Sequence, residues 1–305
     1  MKRVLTAVVL IPVVLLVVFK APLWLFALVL AAISVLSIHE YLNIIKGYGI
    51  EPLGWLTYAT AIILMALLLA GRDPHLMRFQ WVARFLPIVT FLPLIFGIPL
   101  VFRRDMHMAF PAAGASAFAV LYLALSLGLL MPLRHGPDSR FLVVFALVSV
   151  WAGDTAAYYI GKNLGRHKLA PVVSPKKTWE GAVASVIASA AVAVLVFHFR
   201  SLLNGLFSPQ LALESYAFQG TEKELSLFSI IAIGVMTNVA AQFGDLFESV
   251  LKRGANIKDS GALLPGHGGI LDRIDALLFA IPVVWYYASI NGLILQYQFY
   301  NPFSR

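Results

Sequence analysis

Long apolar runs broken by short polar connections organise this chain. The runs fall at about 4–19, 22–45, 53–70, 84–101, 109–131, 140–161, 178–200, 226–251 and 274–297. Each has roughly the length an α-helix needs to cross a bilayer. The pattern predicts an all-α integral membrane protein of about nine transmembrane helices. The first run is short. The fourth carries Pro87, Pro93 and Pro99, which a span accommodates as kinks packed against neighbouring helices. Polar residues are sparse inside the runs, so those that occur are informative. His39 and Glu40 sit deep in the second run. An ionisable pair at that depth is a functional candidate, and the plainer reading, which we favour, is a helix-end pair near the Tyr41 interface.

Composition fits this picture. The chain is 60% hydrophobic and 12% charged, about half the charge of a soluble protein. Cysteine is absent, which excludes a disulfide framework and Cys-based zinc. Met1-Lys2-Arg3 precedes the first run without a small-residue cleavage site, so that run reads as a retained span. Lys and Arg concentrate in the connections 162–177 and 252–273. Both lie inside if the chain starts inside, predicting N-in and C-out. The net charge of +8 suits anionic head groups or a nucleotide. No basic stripe with interleaved aromatics points to nucleic acid. Residues 1–140 read as an N-terminal transmembrane scaffold, and 141–305 carry nearly all the polar chemistry. The connection 201–225 is polar and receives no chemistry.

Three stretches aim polar groups at the inner face. Around Asp154, the sequence Gly153-Asp154-Thr155-Ala156-Ala157-Tyr158 places a carboxylate about two turns inside a span, with Tyr158 one turn further on. A buried carboxylate is costly unless paired or metal-bound; a hydrogen-bonded Asp between helices is the structural alternative. In Ser174-Pro175-Lys176-Lys177-Thr178-Trp179-Glu180-Gly181, Ser174 is a candidate cap and Pro175 a first helical residue. A helix N-terminus bearing lysines is a phosphate site, although a positive-inside anchor with an interfacial Trp has the same look. The third stretch runs from Asp245 and Glu248 through Lys252, Arg253, Lys258 and Asp259 to Gly266-His267-Gly268-Gly269-Ile270-Leu271-Asp272-Arg273-Ile274-Asp275. Asp272 and Asp275, three apart, face one way on a helix. Carboxylates aimed at one point either repel or share a cation, and Mg²⁺ takes a few while leaving room for phosphate oxygens. A glycine turn before a solvated helix start is the competing reading. His267 could donate to phosphate, act as an acid or cap a loop.

These residues resemble a known family. The composite Ser249-x-Leu251-Lys252-Arg253, Lys258-Asp259-x-Gly261, His267-Gly268-Gly269-x-x-Asp272-Arg273-x-Asp275 is similar to the signature of phosphatidate cytidylyltransferase, or CDP-diacylglycerol synthase. The stretches around Asp154 and Lys176 also resemble that family; over 1–140 the likeness is one of hydropathy only. The resemblance implies a multi-pass inner (plasma) membrane enzyme with its site facing the cytoplasm. It implies that CTP and phosphatidate react to give CDP-diacylglycerol and pyrophosphate, with Mg²⁺, a monovalent cation such as K⁺ near the aspartates, and a homodimer. Asp245, Asp272 and Asp275 would be the metal carboxylates. Lys252, Arg253, His267 and Arg273 would join them as catalytic residues. Asp154, Tyr158, Ser174, Lys176, Lys177, Thr178, Lys258, Asp259, Gly268 and Gly269 would bind substrate. Two other readings stand beside this one. A CTP-dependent polyprenol or phytol-type lipid kinase would release CDP instead of pyrophosphate. A cation-coupled transporter would place its carboxylates near the bilayer midplane.

Overall fold

Apolar helices dominate the computed structural model, which describes residues 12–70, 89–102, 105–135, 140–200, 202, 226–263 and 268–290. Among the described residues, six helices are long and apolar enough to cross a membrane. These are α1 (Leu23–Gly47), α4 (Met106–Arg134), α5 (Arg140–Leu164, apolar from Phe141), α6 (Trp179–His198), α7 (Leu227–Gly254) and α8 (Leu271–Ile290). Two shorter apolar helices lie between them, α2 (Gly54–Ala70) and α3 (Val89–Phe102). The all-α membrane class therefore holds. Of the first predicted span only 12–19 is described, and it is helical. Residues 71–88, 203–225, the tail 291–305, and His267 lie outside the described residues.

α5, α6 and α7 pack on one another, and α8 packs along α7. In lipid there is little hydrophobic drive between helices, so small residues and hydrogen bonds supply the adhesion. Asn238 on α7 donates to Ser185 Oγ at 2.8 Å and Ser189 Oγ at 2.9 Å on α6. Ser189 Oγ donates onward to the Ser149 carbonyl of α5 at 2.7 Å. Gln242 Nε2 donates to Asn238 Oδ1 at 2.6 Å, one turn along α7. On the other side, α4 runs through the interior and contains a π-helical turn at Val120–Leu125. That turn presents Tyr122 to Tyr41, Phe118, Phe247 and Phe279, an aromatic cluster joining α1, α4, α7 and α8. The buried Arg134 at the end of α4 is satisfied by the carbonyls of Val18 and Ala21 and lies 4.6 Å from the Phe26 ring.

The segment after α5 departs from the expectation. Ser174 and Pro175 do not open a helix. Ser174–Thr178 forms strand β2, antiparallel to β1 (Lys168–Ala170), with Lys168 opposite Thr178 and Ala170 opposite Ser174. The residue before a proline is pushed toward extended backbone, and a two-stranded ribbon has edges that tolerate the missing N–H. The cap of α6 is instead Thr178, whose Oγ1 accepts from Gly181 N at 3.2 Å. Glu180 in the first turn accepts from His167 N and from His167 Nδ1, the latter at 2.7 Å, fastening the hairpin to the helix start.

Candidate active site

One end of the bundle gathers the charged residues. The C-terminal parts of α5 and α7, the hairpin before α6 and the first turn of α8 meet there, and α1 reaches in from the side. Lys177 on β2 pairs with Asp245 on α7, Nζ to Oδ2 at 2.7 Å. One turn further along α7, Glu248 is fully buried. Its Oε2 pairs with Lys252, and its Oε1 has no hydrogen-bond partner. Lys252 also reaches Asp272 on α8, Nζ to Oδ1 at 2.5 Å. A single ammonium, only 12% exposed, thus sits between two carboxylates on two helices.

The pair Asp272 and Asp275 divides its work. Asp272 folds back on the start of its own helix, where Oδ2 accepts from Gly269 N at 2.8 Å and Ser260 N at 2.9 Å. Gly268, with φ +80°, supplies the left-handed turn that delivers the Gly269 amide. Asp275 takes one bond from Ala276 N at 2.8 Å and otherwise faces the charges of Asp245, Lys252 and Asp154. Asp154 interacts with Asp245, Lys177 and Arg273. The structural alternative, a carboxylate sealed between helices, does not hold: Asp154 is exposed on the bundle. The neighbouring Gly153 occupies the seam against Asn238 and Ser185, and about 100° further round the helix Asp154 clears it.

The remaining sequence-predicted residues fall less centrally. Tyr158 is exposed, its ring edge-on to Tyr159 and 5.9 Å from Lys162 Nζ. Ser174 is half-buried and Lys176 exposed on β2, while Thr178 is buried as the cap of α6. Lys258 and Asp259 are exposed on the loop between α7 and α8, as are Arg253 and Arg273 at its two ends. Arg253 donates to the Ile257 carbonyl at 3.3 Å.

Two acidic residues matter more than the sequence reading allowed. Glu248 belongs to the cluster. Glu40, read as a helix-end residue, is buried and reaches the loop before α8. Its Oε1 accepts from Ile270 N at 3.0 Å, and its Oε2 accepts from Leu271 N and Ser260 Oγ, both at 2.8 Å. The available signal was a carboxylate in an apolar span.

Among the described residues no group of three or more His, Asp or Glu forms a ready metal cage. The donor chemistry still suits Mg²⁺, which commonly takes one or two carboxylates and completes its shell with water and substrate phosphates. Asp275 belongs to one acidic group with Asp245 and Asp154, the kind of carboxylate set that a bound cation stabilises.

A bundle of apolar helices with carboxylates and ammonium groups gathered at one end defines a polytopic membrane protein. The profile described as Cytidylyltransferase family matches residues 1–291, and the chain belongs to that family. It is 37% identical over 176 residues to the phosphatidate cytidylyltransferase of Rickettsia bellii, covering 58% of this chain and 68% of that one. It is 37% identical over 154 residues to that of Haemophilus influenzae, covering 50% and 48%. It is 34% identical over 182 residues to that of Thermotoga maritima, covering 59% and 60%. The matched stretch thus spans about half to two thirds of these curated relatives.

Proposed function

We propose that this protein is a phosphatidate cytidylyltransferase, joining CTP and phosphatidate into CDP-diacylglycerol and pyrophosphate. The observation that carries the reading is the convergence of Lys177, Asp245, Lys252, Asp272 and Asp275 at one end of the bundle, in a chain whose relatives bear that name. A phosphatidate oxygen attacks the α-phosphorus of CTP. The new P–O bond forms as the bond to the β-phosphate oxygen breaks, and pyrophosphate leaves. The nucleophile is already anionic, because the second pKa of a phosphate monoester is about 6, so no strong general base is required. Repulsion between anions is the main obstacle, and positioned cations lower it. Lys176, Lys177, Lys252, Arg253, Lys258 and Arg273 supply the positive groups. Asp245, Asp272 and Asp275 would hold Mg²⁺, which when bound acts as a Lewis acid on phosphate oxygens; a monovalent cation such as K⁺ would sit beside it. The finer topology belongs to the same reading: nine spans, N-in and C-out, in the inner (plasma) membrane, with a cytoplasm-facing site and a homodimer.

The test uses purified protein in detergent with phosphatidate, Mg²⁺ and CTP labelled at the α-phosphate. Label is expected in the lipid phase with release of pyrophosphate, to disappear with EDTA and to return with Mg²⁺. Lipid-borne γ-label with release of CDP would replace this reading by a lipid kinase. A graded prediction concerns Lys177, whose pair with Asp245 is partly solvated. Lys177→Ala should cost under about 1 kcal/mol of stability. It should raise KM for CTP about tenfold, the worth of one charge-assisted hydrogen bond. Titrating CTP against initial rate reads this directly, and an unchanged KM would remove Lys177 from the nucleotide site.

A further inference from the structure

Helix α1 lies in the half of the chain that the sequence reads as scaffold, yet its side chains reach the loop that opens α8. The amides at a helix start have no partner within the helix and need one from elsewhere. Here the amides of Ile270 and Leu271 donate to Glu40, and the amide of Asp272 donates to Ser260 Oγ at 3.3 Å. Ser260 Oγ itself donates to Glu40. The cap of α8 is therefore a carboxylate supplied by a helix some 230 residues earlier in the chain. Gly261 and Gly269 flank that carboxylate closely. A Cβ on either would collide with the Glu40 carboxyl, so the loop is shaped around it. Nearby, Tyr48 Oη donates to the Leu251 carbonyl at 2.9 Å, and Gly47 packs on Ala255. α1 thus holds both ends of the connection between α7 and α8.

We propose that Glu40 is a positioning residue for the catalytic loop. It fixes Ser260 and the first amides of α8, and through them the orientation of Asp272 and the spacing of Asp272 and Asp275 from Lys252. Glu40 touches no reacting atom. The chain of contacts runs Glu40 to Ser260 to Asp272, since Ser260 N donates to Asp272 Oδ2. Buried at 6% exposure, Glu40 is fixed by three hydrogen bonds, a stiffness that transmits position. The kinetic part of this proposal rests on the cytidylyltransferase reading; the structural part does not.

The experiment compares Glu40→Gln, Ser260→Ala, the double variant and Leu64→Ala in the full-length protein. Leu64 is a buried core residue of α2 away from the loop and serves as a destabilised control. Gln keeps the size of Glu but turns one of its two acceptor atoms into a donor. Two readouts are taken on each variant: kcat with CTP and phosphatidate, and the rate of trypsin cleavage after Lys258 relative to Lys168. Both lysines are exposed, one in the loop and one in the hairpin. Glu40→Gln should lower kcat by on the order of 10²-fold, the effect of displacing catalytic groups by about 1 Å, and should speed cleavage after Lys258 selectively. Ser260→Ala should act in the same direction, and the double variant should be less than additive because both residues lie on one chain of contacts. Wild-type kcat and wild-type cleavage in Glu40→Gln would overturn the proposal. So would equal losses in Leu64→Ala, because they would reduce Glu40 to general stability. The cleavage ratio remains informative even if the protein transfers no cytidylyl group.

Discussion

Asp275→Asn should abolish cytidylyl transfer while leaving the protein as stable as the wild type or more so. Asparagine keeps the shape of the side chain and the oxygen that accepts from Ala276 N. It fixes the side chain in a neutral form where Asp275 meets Asp245 and Asp154. Like charges held together in a low-dielectric interior repel, so neutralising one relieves folding strain. Catalysis loses a group that concentrates positive charge where phosphates react. Such stabilisation contributes several kcal/mol to the transition state, which at about 1.4 kcal/mol per decade is about 10³-fold in kcat. Opposite signs for stability and activity mark a functional carboxylate, because structural carboxylates lose both together. Initial-rate transfer of α-label and thermal melting in detergent measure the two. A variant that retains a tenth of its activity, or melts well below the wild type, would place Asp275 in the framework instead.

Much of this site was legible in the sequence because charge is so rare in the apolar runs. Asp154, Asp245, Lys252, Asp272 and Asp275 stand out as exceptions to hydropathy, and antiparallel helices with one connection bring the last four to one level. What pattern could not supply was partner assignment. Lys252 reads as one of several loop cations, whereas it lies between Glu248 and Asp272. Asp272 and Asp275 share a helical face in sequence. Yet an unsatisfied helix start drew Asp272 back to Gly269 and Ser260, while Asp275 stayed with the acidic group. The hairpin was missed because Ser174-Pro175 satisfies the rules for a helix start and for an extended edge equally well. Only pairing with Lys168–Ala170, a tertiary fact, decides between them. Glu40 was undervalued for a similar reason, since its partners lie in the other half of the chain.

Lys252→Met should be among the most destabilising single substitutions in this protein. Methionine fills the space of the lysine stem but supplies no charge, leaving Glu248 fully buried and Asp272 without its ammonium partner. Breaking a buried ion pair from one side costs about 3–5 kcal/mol, because the remaining charge is stranded. Lys252→Arg should not restore the wild type, since a planar fork cannot replace a compact ammonium lodged between two carboxylates. The informative variant is the double one. Glu248→Gln in the Lys252→Met background removes the stranded charge and should recover most of the melting temperature. Cytidylyl transfer should stay lost, because the positive group beside Asp272 is still missing. Melting and α-label transfer on the three variants separate the two roles of Lys252. If Lys252→Met melts with the wild type, the carboxylates do not depend on it and the cluster is organised by another cation. If the double variant regains transfer, Lys252 serves only to neutralise Glu248, and the phosphates must be met by Lys177, Arg253 or Arg273.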